Sequence, residues 1–396
     1  SAQVKTDPSK TATGNYSFTV RLLHFETQEK TYSLRTPIRI LTKGSIQLLP
    51  GQTISGTATV LKSKEARVAA LFIVNGPIII QTNPSTWAAG LGAIREGLRE
   101  NSGDGDSGAL IPGMVLGDTS KQSADFKDAM KRSGLTHLVA VSGANFAIVS
   151  SFVLWCMQFF IKRTQHRLLA TAIALSCFIA LVRPSPSVLR AAAMAAVLLS
   201  AQASKRRTDS LPALGFAIAA VVIGDPWQAQ DAGFALSVLA TAGLLLLAPV
   251  IEEKLPTHKK LAGALAPPIA AMLFCSPILV ALSGYLSPMS IVANLLAAPF
   301  VAPITILGFI AALVSPVAPL LTVALVTVIR IPAALIAGIA RRIAEFPVLT
   351  IHNGKIGFLI VAISIVFLWL FKKNWRTTTA FFIVAVLALT WIQRWP

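Results

Sequence analysis

The chain has 396 residues, of which 54% are hydrophobic and 13% are charged. Together with a mean hydropathy of +0.67, this composition excludes an ordinary soluble globular protein and predicts an integral membrane protein. The formal net charge of +18 fits basic cytoplasmic loops, contact with anionic lipid or a polyanionic substrate, and it does not decide among them.

Residues 1–81 are predicted to form a small extracytoplasmic β-barrel of the OB type. They contain five short runs rich in β-branched and aromatic residues, separated by turn residues such as Pro50-Gly51. This segment is basic, and a basic barrel face can bind a single nucleic-acid strand. The alternative is a purely structural β-module, because few aromatic side chains are available to stack on bases. The candidate strand-binding residues are Arg21, Arg35, Arg39 and Lys62. Since the sequence begins with Ser1 and not Met, we also expect upstream residues or processing.

Residues 82–136 are predicted to lie at the membrane interface. In the run "NPSTWAAGLGAIREGLRE" the apolar residues share one helical face and most charges lie on the other. The next apolar piece, "ALIPGMVLGD", is shorter than the ~20 residues that a spanning helix needs. "SADFKDAMKRSGL" is again amphipathic. We therefore expect amphipathic interfacial helices here.

Residues 137–396 predict a polytopic α-helical membrane domain with about eight to ten transmembrane or buried helices. Two proline-containing stretches, "APPIAAMLFCSPILV" and "AAPFVAPITILG", predict interrupted helices. The helices are expected near 139–161, 168–182, 187–203, 211–223, 232–251, 261–286, 289–314, 317–340, 356–371 and 378–393.

Loop charges predict the orientation. The basic loops "KRTQHR", "SKRR", "EEKLPTHKK" and "KKNWR" fall at alternate helix ends. All four are therefore expected in the cytoplasm, with the N-terminal barrel on the outer side. Arg341 and Arg342 do not fit this pattern, which leaves the helix count between 289 and 345 open.

Three polar clusters interrupt the apolar segments. An arginine inside such a segment is costly and predicts a wet cavity or an acidic partner. Asp225 and Asp231 are the predicted partners of Arg190. Asp231 is also expected to cap the following helix, and Gly233 and Ser237 to allow close helix approach. The clusters comprise His137, Ser142, Gly143 and Asn145, then Arg183, Pro186, Ser187 and Arg190, then Asp225, Asp231, Gly233, Phe234 and Ser237.

Each cluster also has a purely structural interpretation. Helical serines often bond their own preceding turn, and helical glycines often serve only packing. His137 is equally consistent with a structural role at the interface, and Arg190 with a structural salt bridge.

No enzyme is predicted. His137 and Ser142 face different directions on a helix, which disfavours a Ser–His hydrolase. The five histidines are scattered singly and no phosphate-binding P-loop occurs. We expect no cofactor and no metal, and we interpret the three cysteines as small buried hydrophobic residues.

The polar clusters resemble the ComEC family of DNA-uptake proteins. The matching stretches are "VLGDTSKQSADFKDAMKRSGLTHLVAVSGANFAIV", "PSVLRAAAMA" and "DPWQAQDAGFALSVLAT", in the family's order. Asn145 stands where family members often have histidine. Many members also carry a C-terminal metallo-β-lactamase-like domain, which these residues do not contain, so strand degradation is not expected here.

The resemblance implies a channel that imports single-stranded DNA across the bacterial cytoplasmic membrane in natural transformation. It also implies a cytoplasmic ATP-driven DNA translocase and an extracytoplasmic DNA-receptor protein as partners, whereas the oligomeric state stays open. A secondary transporter for a small anionic solute and a non-conducting membrane-assembly protein remain as alternatives. The residues expected to line the path are Ser142, Asn145, Ser187, Arg190, Asp231, Ser237, Arg183, Arg330 and Arg341, with Arg342 beside the last.

Overall fold

The computed structural model describes residues 1–350 except 12–13, 27–30, 45, 47, 64, 66, 140–142, 184–185, 204–209, 256 and 284. Ser142 and the helices expected at 356–371 and 378–393 therefore lie outside the described residues. So do the side chains of Pro186 and Ser187, although both belong to a helix.

The N-terminal module is a β-sheet domain whose core is formed by alternating residues of its strands. Val4, Phe18, Val20, Ile40 and Phe72 are among the side chains packed inside it. The strands are β1 (Ala2–Val4), β2 (Ser9–Lys10), β3 (Tyr16–Leu22), β4 (His24–Glu26), β5 (Thr31–Ser33), β6 (Pro37–Thr42), β7 (Thr53–Ser55), β8 (Ala58–Lys62), β9 (Ala70–Val74) and β10 (Ile79–Ile80).

One run of the chain, from β7 to β8, connects the two sides of this sheet. The sheet order is β10-β7-β1-β3-β6-β9-β8, with β2 beside β3, and β6–β9 is its parallel pair. β7 and β8 are consecutive and are separated only by Gly56 and Thr57. Because β7 pairs with β1 and β8 pairs with β9, these consecutive strands bring the two sides of the sheet close together. Closure of the sheet into a small barrel stays a prediction, and the domain is called the barrel below. Its assignment to the OB type stays a prediction.

The rest of the described chain is mainly helical, and it forms a polytopic membrane domain. Six helical segments are long and apolar enough, by length and composition, to cross a membrane. The helices are α1 (Thr86–Asn101), α2 (Gly105–Leu116), α3 (Ala124–Arg132), α4 (Thr136–Val139), α5 (Gly143–Phe160), α6 (Thr164–Val182), α7 (Pro186–Ala203), α8 (Ser210–Gly224), α9 (Ala232–Leu246), α10 (Ala248–Lys254), α11 (Lys259–Ser283), α12 (Ser290–Val314) and α13 (Pro319–Ala344).

α2 packs inside the helical domain, and the location of residues 82–136 at the membrane interface stays a prediction. Every residue from Gly108 to Leu116 is buried, and the large apolar side chains of α2 share one core with α12 and α13. Gly308 of α12 packs directly against Val115. α2 is too short to span a bilayer. Longer helices cover it, so it belongs to the core of the helical domain.

The predicted interruptions of two helices are wrong. α11 runs through Pro267, Pro268 and Pro277, and α12 runs through Pro299 and Pro303. A proline removes one backbone hydrogen bond, but neighbouring helices and small local adjustments compensate for that loss in a membrane protein. α11 ends at Ser283, where the short strand β11 (Tyr285–Leu286) pairs with β12 (Leu349–Thr350).

Candidate functional site

A buried arginine connects α7 to α9. Arg190 lies in the first turns of α7 and is 4% exposed. Its Nε donates to Oγ of Ser237 at 2.9 Å, and its Nη1 donates to Oγ1 of Thr241 at 2.8 Å. Ser237 and Thr241 are four residues apart on α9, so they present two hydroxyls from consecutive turns of one helix face.

The beginning of α5 completes this cluster. A β-carbon added to Gly143 would lie 3.0 Å from Nη2 of Arg190. Glycine at this position therefore lets α5 approach the guanidinium closely. Three helices, α5, α7 and α9, meet at Arg190.

Neutral groups surround the charge of Arg190. In the described ranges of the chain, no carboxylate oxygen lies within 4.0 Å of its guanidinium nitrogens. Sδ of Met194 lies 3.4 Å from Nη1. Hydroxyl and thioether partners do not neutralise the positive charge of Arg190, whereas a carboxylate partner would.

The prediction that Asp225 or Asp231 faces Arg190 is wrong, because both carboxylates face the barrel. Nη2 of Arg67 lies 2.8 Å from Oδ2 of Asp225, and Nη1 of Arg67 lies 3.8 Å from Oδ2 of Asp231. Asp231 accepts a hydrogen bond from the backbone N–H of Phe234 at 2.9 Å, which is the predicted helix cap. A cap sits at the end of α9, whereas Ser237 lies about 9 Å further along the axis.

A second ion cluster joins the barrel to the helices. Nε and Nη2 of Arg183 donate to the two carboxylate oxygens of Asp7 at 3.1 and 2.8 Å. Nη2 of Arg95 lies 3.4 Å from the same carboxylate. Burial lowers the pKa of the Arg95 guanidinium, and the nearby carboxylate of Asp7 offsets part of that decrease.

The barrel therefore contacts two helix connections. Arg183 belongs to the α6–α7 connection, and Asp225 and Asp231 belong to the α8–α9 connection. These connections lead into the helices that carry Arg190 and Ser237. The predicted basic stretch at 162–167 lies at the start of α6, at the opposite end of that helix from Arg183, and the stretch at 252–260 runs from the end of α10 to the start of α11.

Asn145 and His137 of the first polar cluster each have a hydrogen-bond contact with a backbone carbonyl group. Asn145 is 2% exposed, and its Nδ2 donates to the carbonyl oxygen of Met114 in α2 at 3.1 Å. His137 is exposed, with Nδ1 3.2 Å from the carbonyl oxygen of Gly134. Neither side chain is shown beside the Arg190 cluster, so their place on a hydrated path stays a prediction.

Gly233 does not provide the predicted close helix approach. It is exposed, and the nearest atom to an added β-carbon would be Oδ1 of Asp231 in its own helix cap. The close approach of α9 occurs at Gly243, where an added β-carbon would lie 2.8 Å from the carbonyl oxygen of Ala270 in α11. Phe234 is buried.

Two basic residues of α13, Arg330 and Arg341, contact the α1–α2 region. Nε of Arg341 lies 2.5 Å from Oδ2 of Asp106. The guanidinium of Arg330 lies against Gly103, where an added β-carbon would be 3.0 Å from Nη1. Arg342 is exposed. These three cations are not brought together with Arg190.

Three of the four basic candidates on the barrel are exposed, and one is paired. Arg39 forms a 2.8 Å ion pair with Glu65. The exposed candidates are Arg21, Arg35 and Lys62.

The sequence alone did not identify Thr241, Arg67, Asp7 or Arg95. Thr241 lies one helical turn after Ser237, so helical spacing contains a signal for it. The other three lie far along the chain from their partners, and single charged residues in polar segments carry no comparable signal.

Comparison with known proteins assigns most of the helical part of the chain to a protein family. The family model described as Competence protein matches residues 114–392. ComE operon protein 3 of Bacillus subtilis (strain 168) is 26% identical over 196 residues, which are 49% of this chain and 25% of that protein. The chain thus covers about a quarter of that relative's length. No solved structure matches the chain.

Proposed function

Because the chain belongs to the ComEC family of competence proteins, we propose that it acts in DNA uptake by carrying a single strand across the cytoplasmic membrane. The barrel faces outward in this proposal, and the basic loops face the cytoplasm. The chain provides the passage and catalyses no reaction. The force comes from a cytoplasmic ATP-driven translocase, and an extracytoplasmic receptor delivers the DNA.

The observation that carries this proposal is the environment of Arg190. A single strand is a polyanion, and it needs positive charge and polar groups to pass a low-dielectric layer. Arg190 provides a charge without a carboxylate partner in the described part of the chain, and Ser237 and Thr241 add hydroxyls. The barrel stands beside the two connections that lead to this cluster.

The contacts around Arg190 suggest a separate role for each residue of the cluster. Arg190 is proposed to interact with phosphates in transit. Ser237 and Thr241 position its guanidinium, and Gly143 leaves the space that the guanidinium needs. Ser142 and Ser187 remain candidates for hydrating the path, together with Asn145.

The proposal is tested with Arg190→Ala in proteoliposomes. We expect uptake of a labelled oligonucleotide, measured as protection from added nuclease, to fall by more than about tenfold because the buried cation is lost. Lys162→Ala, which removes an exposed cation from the α5–α6 loop, is the matched control and should keep uptake near the wild-type level.

Equal uptake by Arg190→Ala and the wild-type protein would contradict the proposal. The alternative of a small-anion transporter predicts that Arg190→Ala abolishes uptake of a small organic anion, while the wild-type protein shows no oligonucleotide uptake at all. The basic barrel favours the DNA proposal, since a small-solute carrier does not require it.

A further inference from the structure

Asp7 sits in a site built from two arginines of the helical domain. Nη2 and Nε of Arg183 donate to the two carboxylate oxygens of Asp7, at 2.8 and 3.1 Å, in a bidentate fork. Nη2 of Arg95 adds a third contact at 3.4 Å. A guanidinium fork with an additional cation suits a phosphate group at least as well as a carboxylate, because both present pairs of charged oxygens to parallel N–H donors.

The helices, and not the barrel, hold Arg95 in place. Its Nη1 donates to the carbonyl oxygens of Leu116 and Leu181, at 3.1 and 2.8 Å, and its side chain is 12% exposed. These two carbonyls belong to the ends of α2 and α6. Arg95 therefore keeps its orientation whether or not a barrel residue is present.

Arg183 is held in an uncommon backbone conformation. Its φ is +75°, and in the described part of the chain it is the residue other than glycine with positive φ. Residues with a β-carbon rarely adopt this region because it is strained, so the surrounding structure must enforce it. In this conformation the Arg183 guanidinium points from the α6–α7 connection towards Asp7 of the barrel.

The anion, in contrast, comes from a different module. Asp7 lies between β1 and β2 of the barrel, outside the helices that build the cationic site. The barrel also has a second attachment, between Arg67 and Asp225. It therefore keeps one ionic contact with the helical domain when Asp7 leaves its arginines.

We propose that Arg95 and Arg183 form a binding site for a phosphodiester, and that Asp7 occupies this site until a phosphodiester displaces it. The inference rests on the proposed function, because the arriving strand is the source of phosphodiesters that we favour. The exchange replaces one singly charged anion with another, so the two arginines are never left without a counter-charge. A phospholipid headgroup has the same chemistry, and the experiment separates the two sources.

The test measures binding of a fluorescent oligothymidylate to the full chain in phosphatidylcholine nanodiscs by anisotropy. Asp7→Asn keeps the shape of the side chain but removes its charge, so we expect binding to tighten about five- to tenfold. The double variant Asp7→Asn/Arg183→Gln should lose this gain. Glu26→Gln, which removes an exposed negative charge elsewhere on the barrel, is the matched control and should gain much less.

Two further arms identify the ligand. A methylphosphonate oligonucleotide, whose backbone is uncharged, should show no gain with Asp7→Asn. Phosphatidylglycerol in the nanodisc should leave the gain intact if the strand occupies the site, whereas competition by this lipid would show that the phosphodiester comes from a headgroup. Asp7→Ser provides a second neutral variant in case Asp7→Asn elutes as an aggregate.

An unchanged or weaker affinity in both neutral variants would overturn the inference and leave Asp7 as a docking residue. Failure of the proposed function has a different signature. In that case the gain with Asp7→Asn persists, while Arg190→Ala transports the strand as well as the wild-type protein does.

Discussion

Gly143 faces the guanidinium of Arg190 across the junction of α5 and α7, and a β-carbon at position 143 would lie 3.0 Å from Nη2. Such a distance is shorter than ordinary van der Waals contact. Arg190 is 4% exposed, so its guanidinium has little free space into which it can withdraw. The two positions are therefore sterically coupled, although they lie on different helices.

We expect Gly143→Ala to impair strand uptake more than folding. The added methyl group displaces the guanidinium from Ser237 and Thr241, and weakening hydrogen bonds of a charged group costs about 1.5–3 kcal/mol. Uptake in proteoliposomes should fall by about tenfold. Gly215→Ala on α8, where an added β-carbon meets no atom within 4 Å, should leave uptake unchanged.

Asn145 is expected to be a stabilising residue. Replacing it with alanine leaves the buried carbonyl oxygen of Met114 without its amide donor, at a cost of about 1–3 kcal/mol. Asn145→His should be less destabilising, because a neutral imidazole can still donate one hydrogen bond. The midpoint of thermal unfolding in detergent measures both effects, and equal midpoints for the alanine variant and the wild type would contradict this role.

The ion pair between Arg67 and Asp225 should couple the barrel to the helices only weakly. Both side chains are partly exposed, and exposed pairs contribute about 0.2–1 kcal/mol. A double-mutant cycle with Arg67→Ala and Asp225→Asn should give a coupling of that size, decreasing as salt rises. Asp231→Ala should cost about 1 kcal/mol more than Asp225→Asn, because it also removes the cap of α9. Additive single and double variants at low salt would refute the coupling.

Binding of single strands by the barrel should depend on salt through its unpaired cations. Each phosphate contact contributes about 0.7 to the slope of log K against log salt for single strands. Arg21→Ala and Lys62→Ala should each reduce the slope by roughly that amount. Arg39→Ala should reduce it less, since Arg39 already pairs with Glu65. Anisotropy titrations of the full chain at several salt concentrations test this order.

The positions of several helices were predictable because membrane helices are long and rich in apolar residues. The helices expected near 168–182, 187–203, 211–223 and 289–314 correspond to α6, α7, α8 and α12 within a few residues. The five strand-like runs likewise fall in the sheet domain. Periodicity and apolar content are local properties, so one sequence is enough to read them.

The pairing of charges was not predictable in the same way. The sequence draws attention to Arg190 and predicts acidic partners for it, but in the structure its partners are the neutral Ser237 and Thr241. Asp225 instead pairs with a residue 158 positions earlier in the chain. Contacts of this kind depend on how a barrel and a helix bundle dock, and no local pattern encodes that arrangement. Gly243, where α9 comes close to α11, lies within a uniformly apolar run. Nothing in the local sequence distinguishes it as the contact point.

The docking of the barrel also sets an order of events during synthesis. Asp7 precedes its partner Arg183 by 176 residues, and Arg67 precedes Asp225 by 158. At ribosomal rates of about 5–20 residues per second, Arg183 and Asp225 are synthesised roughly 8–35 seconds after Asp7 and Arg67, their ion-pair partners. Strands β1 to β10 are therefore all made before Arg183 and Asp225 exist. The ion pairs of Asp7 with Arg183 and of Arg67 with Asp225 can form only after α6 and α8 have been made.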